Sequence, residues 1–220
     1  MTPGSMTPTS RRLAATAHAP LPEAALSPAR RVILETALRL CAERGYSGTS
    51  IRDIATACGL QGPTLYSHYP SKEAVLAELL RIGHDEHLRY VSAAMLDCEP
   101  DPRAQIRAWT NAHVRFHTDF PMLAVVTNTE LHMLSAEALA PILSVRKQAE
   151  QILRDIIERG RTRKLFQVID SWLSAAAIGG MGLRVAFWFA PGGSFTAATV
   201  ADTYAEFALR LLGAQARASS

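Results

Sequence analysis

Residues 49 to 73 read TSIRDIATACGLQGPTLYSHYPSKE, a run rich in side chains that hold phosphates and read bases. Thr49 and Ser50 place hydroxyls and backbone N–H groups at a helix start, where an anion is welcome. Gln61, Gly62, Pro63 and Thr64 form a tip of the size that enters a major groove. There Gln61 can pair with adenine, and Thr64 or Pro63 can touch a thymine methyl. Arg52 can reach guanine or a phosphate. Tyr66, His68, Tyr69 and Lys72 can hold flanking phosphates, although Tyr69 is suited chiefly to a core position and Tyr66 is more evenly split between packing and phosphate. This chemistry makes double-stranded DNA the first partner to test.

Such side chains work only if short helices aim them. Ser50 with Asp53 three residues later is a capping-box pattern. Ile51, Ile54, Ala55 and Cys58 then share one face, and Gly59 suits the left-handed residue that ends a helix. Pro63 fits the first turn of a second helix. Leu65 and Tyr69 are four apart and turn inward together, leaving Thr64, Ser67 and His68 outside. Pro70 stops this helix and Ser71 opens a third. The pattern is a helix-turn-helix.

The whole chain has 220 residues, 48% of them hydrophobic, and a net charge of +3. That is enough apolar material for a packed core and excludes global disorder. Residues 1–75 hold eight Lys/Arg against five acids, and the remaining fifteen of each cancel, so the positive excess lies with the motif. Cys41, Cys58 and Cys98 are odd in number and lack CxxC spacing, which fits reduced thiols in a cytoplasmic protein. Strand-type alternation is scarce, and Gly and Pro punctuate runs of helical period. The expected fold is all-α: a three-helix DNA-binding domain over 27–75 and a helical bundle over 76–214. A disordered arm over 1–26 and a disordered tail over 215–220 flank them. A long helix is expected from about Ser71 to Met95, another from Asp101 through His117, and a short one after Pro121 to about Val126. Helical stretches near Glu130–Ala138 and over 141–159, the latter closed by Gly160, come next. A basic loop precedes the last two helices, over 171–190 and 197–213. The apolar run 171–190 has the length of a membrane span, but Arg184 inside it argues for a buried helix and no membrane association.

Enzymatic readings find little support. GxSxG, P-loop and GxGxxG patterns are all lacking, so no catalytic residues and no cofactor are expected. His113 and His117 are four apart on one helix, and His84 and His87 three apart on another, spacings that can chelate zinc. The alternative function is therefore a helical metal-binding protein or sensor using the His113/His117 pair.

Over residues 30–80 the chain resembles the N-terminal domain of the TetR-type (tetracycline-repressor-like) transcriptional regulators. The likeness is carried by Gly45 with Tyr46, Ile54 with Ala55, Cys58-Gly59-Leu60, Thr64-Leu65-Tyr66, His68 with Tyr69, and Ser71-Lys72-Glu73. Cys58 departs from the usual alanine but keeps a small residue. Pro63 removes one backbone donor. Glu130 with Leu131, Arg146, and Trp188 through Gly192 are similar to a sub-group linked to lipid degradation. The resemblance implies a homodimeric repressor whose C-terminal domain binds a small hydrophobic ligand, of acyl-CoA or sterol-derived CoA thioester type in that sub-group, and then releases a palindromic operator. A pocket among the middle helices lined by Trp109, His113, Phe116, Met122, Met133 and Trp172 follows as an expectation. So does dimerisation through 171–190 and 197–213. There Ala175, Gly179 and Gly182 would allow close approach, and Leu183, Phe187, Tyr204, Phe207 and Leu211 would supply burial.

Overall fold

Side-chain caps set most of the helix starts. Ser27, Ser50, Ser71, Asp101, Ser135, Asp170 and Thr196 each accept a bond from the backbone N–H three residues on, satisfying donors that a helix start leaves open. The computed structural model describes residues 20–23 and 26–214, and no strand occurs among them. Nine α-helices are found in that range: α1 (Pro28–Arg44), α2 (Ile51–Ala57), α3 (Gly62–His68), α4 (Lys72–Leu96), α5 (Pro102–Asp119), α6 (Pro121–Thr129), α7 (Ala136–Thr162), α8 (Ser171–Leu183) and α9 (Ala197–Leu211). Residues 215–220 and most of the expected arm lie outside the described residues. Leu21 and Pro22, placed in that arm by the sequence reading, are instead buried, and Arg31 donates to both of their carbonyls.

One apolar cluster joins Ile33, Leu34 and Leu38 of α1, Ile54 of α2, Leu65 of α3 and Leu76, Leu79 and Leu80 of α4 to Leu123 and Val126 of α6. The small head therefore borrows its core from the body, as a unit of its size must. A boundary drawn at residue 75 cuts through both this cluster and α4. A second cluster, with Val91, Ile106, Ile156 and Leu212 among its members, closes the far end.

Four local expectations are corrected. α7 begins at Ala136, not Pro141, because Ser135 caps it and Pro141 costs only one intrahelical bond near an exposed end. Gly160 does not close α7: it is buried inside the helix beneath the Phe166 ring, and the reversal comes at Lys164, with φ 55°. α6 runs on to Thr129, and a single 3-10 turn at Leu131–Met133 stands where a helix near Glu130–Ala138 was expected. Residues 171–190 are not one helix. α8 ends at Leu183, a 3-10 turn covers Arg184–Phe187, and Arg184 is exposed with its guanidinium 4.5 Å from the Phe187 ring centre. No helix among the described residues is long and apolar enough to cross a membrane.

Candidate nucleic-acid interface and inner cavity

The head presents its tip through a tightly closed turn. Ser50 and Asp53 form the reciprocal capping box, at 3.0 and 2.8 Å. At the other end of α2, Gly59 N–H donates to the Thr56 carbonyl and Leu60 N–H to the Ala55 carbonyl, with Gly59 at φ 67°. This is the two-bond Schellman closure, and Leu60 packs inward behind it. α3 then starts with Gln61, whose side chain makes no capping bond, so both halves of its amide stay available. Gln61, Pro63, Thr64 and Tyr66 are exposed, and Gly62 and His68 are half-buried. Arg52 is exposed and makes no ion pair among the described residues, whereas Arg30, Arg31 and Arg39 of α1 are each paired with a glutamate.

Three of the expected phosphate contacts are redirected. Thr49 is buried; its hydroxyl donates to the Gly45 carbonyl at 3.0 Å and its N–H to Tyr46. With Ser50 N–H taken by Asp53, the Ser50 hydroxyl proton is what Thr49 and Ser50 between them keep for a phosphate. Tyr69 is a core residue, 2% exposed, with its hydroxyl accepting from Arg30 Nε at 3.2 Å. Burial pushes this phenol up to about 12. Lys72 Nζ donates to the Tyr46 and Thr49 carbonyls at 3.0 and 2.9 Å and sits 3.8 Å from the Tyr46 ring centre. The lysine ties the α1–α2 loop to the start of α4, and one of its three N–H directions is left for a phosphate.

In the body, a cavity of about 300 Å³ opens between α4, α5, α6, α7 and α8. Trp109, His113, Phe116 and Trp172 line it as expected, and Leu153, Ala175 and Leu183 add apolar wall. Met122 and Met133 do not reach it. Met122 packs against the head cluster, and Met133 borders a wider cleft of about 540 Å³ beside the end of α1. The sequence reading missed Thr127, Asn128, Arg146, Glu150 and Arg154 as lining. For Arg146, Glu150 and Arg154 the signal was their spacing, one stripe along α7. Arg146 is paired with Glu150 at 2.9 Å, and Arg154 makes no ion pair among the described residues.

The cavity wall carries four histidines from α4 and α5. His113 Nε2 donates to the Gly179 carbonyl at 3.0 Å, because a carbonyl only accepts. Its Nδ1 then accepts from His87 Nε2 at 2.7 Å. His117 Nδ1 donates to the His113 carbonyl at 2.7 Å. Burial holds all four imidazoles neutral, His84 and His117 down at about 4 and His87 and His113 well below the ordinary value. His113 also stacks on Trp109, with ring centres 4.8 Å apart. With both His113 nitrogens and His117 Nδ1 engaged, the i, i+4 pair cannot chelate in this arrangement. No group of three or more His, Cys, Asp and Glu side chains among the described residues could hold a metal ion.

The small residues of α8 expected at a dimer seam have inward contacts. Ala175 is buried, the Gly179 carbonyl holds His113, and a side chain at Gly182 would collide with the His113 ring. Ala175 and Gly179 line the cavity. Leu183 and Phe187 are half-buried in the same way, and Tyr204 packs on an inner cluster. The outward apolar residues are Trp172, Leu173, Phe207 and Leu211, with Ala176, Ala177 and Gly180 exposed on α8.

Two family models match the chain. Residues 33–79 match the model described as bacterial regulatory proteins, tetR family, and residues 99–212 match the tetracyclin repressor-like C-terminal domain. The HTH-type transcriptional repressor KstR2 of Rhodococcus jostii is 28% identical over 184 residues, covering 82% of this chain and 89% of that protein. A bacterial regulatory protein of the tetR family from Rhodococcus RHA1 is 31% identical with a TM-score of 0.79, covering 87% of this chain and 100% of the other. AibR, solved in complex with isovaleryl coenzyme A and operator DNA, is 28% identical with a TM-score of 0.75, covering 85% and 100%.

Proposed function

Because this chain belongs to the TetR family of bacterial regulatory proteins, a family of transcriptional regulators and not of enzymes, we propose that it is a cytoplasmic repressor that binds a palindromic operator as a homodimer and is released by a small hydrophobic or acyl-CoA-type effector. The observation that carries this reading is the span of α4. Val75, Leu76 and Leu79 at its start are packed in the head, while Gly83, His84 and His87 two turns on line the cavity. One rigid helix thus touches both the DNA-reading unit and the candidate effector site. α6 makes a second bridge: Leu123 and Val126 belong to the head cluster, Thr127 lines the cavity, and Thr127 lies against Gly83 so closely that a methyl group there would not fit. A ligand that displaces Thr127 or His84 must move helices that hold the head.

An acyl-CoA type of effector is supported by three features together. The cavity is mainly apolar with a polar wall, Arg154 stands at its exposed α7 rim where a phosphate-bearing tail would pass, and the relative AibR is named with a bound coenzyme A thioester. Each DNA contact is proposed for one role. Gln61, Pro63 and Thr64 read bases; Arg52, Tyr66, His68, the Ser50 hydroxyl and the third N–H of Lys72 hold phosphates. A single head binds weakly, so two copies must face major grooves about 34–36 Å apart or an adjusted multiple of that.

Selection of genomic fragments on the purified protein, followed by titration with CoA thioesters of graded acyl length, tests the reading. A twofold-symmetric site whose occupancy falls on adding one of the thioesters is expected. Retention of no duplex, or an occupancy indifferent to every thioester and every free hydrophobic acid offered, would overturn it.

A further inference from the structure

The cavity wall leaves three buried polar atoms without a partner: His84 Nε2, His117 Nε2 and Trp109 Nε1. All three residues line the cavity, and their exposures are 6%, 2% and 2%. Orphans of this kind are costly, on the order of 1–3 kcal/mol each, so three around one space call for an account.

Their hydrogen-bonding sense follows from what their rings already do. His117 uses its Nδ1 proton on the His113 carbonyl, and a neutral imidazole has one proton, so Nε2 offers a lone pair. The Thr127 backbone carbonyl counters part of the burial penalty on the His84 ring, as an acceptor facing its proton. With Nε2 unpartnered, the donor is Nδ1, and His84 Nε2 is a second lone pair. Trp109 Nε1 can only donate. The three atoms therefore ask for a group that donates to imidazole nitrogen and accepts from indole. A ketone only accepts, and a hydrocarbon does neither. A carboxylate brings negative charge against imidazole lone pairs in a poorly hydrated space.

Resting on the reading of this cavity as the effector site, we propose that its inner wall is built for an alcoholic hydroxyl, so that the buried part of the effector is a hydroxylated hydrocarbon rather than a plain, keto or carboxylated one. The hydroxyl proton goes to His84 or His117, and its oxygen accepts from Trp109. Neutral histidines suit this task because a charged imidazolium could only donate.

Calorimetric titration of the full-length protein with cyclooctanol, cyclooctanone and cyclooctanecarboxylate tests the chemistry free of any thioester. The alcohol should bind at least about tenfold more tightly than either analogue, the equivalent of one good hydrogen bond. H84F and H117F combined should abolish that preference, and at least one of them alone should reduce it, without weakening the ketone. A second readout needs no variant: in protein with 15N-labelled histidine, the Nε2 resonance of His84 or His117 should move on adding alcohol and stay on adding ketone. Equal binding of the three compounds, binding of none, or unmoved histidine resonances would overturn the inference. Octanoyl-CoA titrated in parallel separates the two readings. Thioester binding with no alcohol preference leaves the proposed function standing and removes the hydroxyl. An alcohol preference with no thioester binding keeps the hydroxyl and removes the acyl-CoA type of effector, leaving a small hydrophobic one.

Discussion

At the residue scale, Lys72 shows how one side chain serves both the fold and the proposed DNA contact. Its ammonium closes the loop between α1 and α2 by bonding the Tyr46 and Thr49 carbonyls, while sequence position alone suggested a phosphate ligand. Lys72→Ala is expected to lower stability in the absence of DNA by about 1–2 kcal/mol, since two charge-assisted bonds are lost at a partly buried site. It should also weaken binding to all duplexes and reduce the salt slope by about one unit. Thermal melting of the free protein separates the two effects: an unshifted midpoint would confine Lys72 to phosphate. Arg154→Ala should leave the midpoint almost unchanged, because the side chain is exposed and makes no ion pair among the described residues. It should still cost about tenfold in affinity for a CoA thioester, the price of one charge-assisted phosphate bond. Calorimetry on matched thioester and free acid decides this, and equal losses for both would remove the arginine from phosphate binding.

At the element scale, glycines inside helices mark close packing rather than helix ends. In an ordinary exposed helix, Gly→Ala gains about 1 kcal/mol. At Gly160 the sign should reverse, because the new methyl would strike the Phe166 ring that seals α7 against the last turn. Gly160→Ala is expected to destabilise by about 1–3 kcal/mol through forced repacking, read as a lower denaturant midpoint with an unchanged slope. An unchanged or raised midpoint would mean that Phe166 yields freely. Gly182→Ala presses on His113 in the same way and should disturb the cavity more than the head.

At the scale of the whole molecule, burial and assembly dominate. The four cavity histidines stay neutral in the folded protein, with His84 and His117 held at about 4. An unfolded chain takes up those protons near the ordinary value of 6.5, so it binds more protons than the native state between pH 6.5 and 4. Stability must fall as pH falls through that window. A loss on the order of 3 kcal/mol corresponds to a melting midpoint roughly 6–12 °C lower in a chain of this size. Carboxylates with lowered values, such as Glu158 at about 2, add their loss only at more acid pH. A midpoint flat from pH 7 to 4.5 would contradict the buried neutral cluster. Outside, the paired exposure of Phe207 and Leu211 on α9 with Trp172 and Leu173 on α8 supports a dimer face. Phe207→Glu with Leu211→Glu should give a folded monomer by analytical ultracentrifugation, with operator binding weakened at least about a hundredfold as the second half-site contact is lost. A double variant that stays dimeric would move the interface elsewhere.

The sequence by itself determined the elements whose causes are local. The Ser50–Asp53 capping box, the Gly59 turn, the Pro63 start and the inward Leu65–Tyr69 pair are short-range hydrogen bonding and periodicity, and all appear in the structure. The cavity was half legible: Trp109, His113, Phe116 and Trp172 lie on it, but apolar side chains of cores and pockets are the same types, so Met122 and Met133 could not be told apart from them. Only the tertiary structure decided what depends on residues distant in the chain. Thr49 spends its hydroxyl on Gly45, Lys72 faces inward, α7 passes through Gly160 because Phe166 returns to cover it, and Gly182 of α8 makes room for His113. The physical reason is that a local pattern fixes dihedral angles and caps, whereas the partner of a buried donor or the neighbour of a missing side chain is chosen by how whole helices pack.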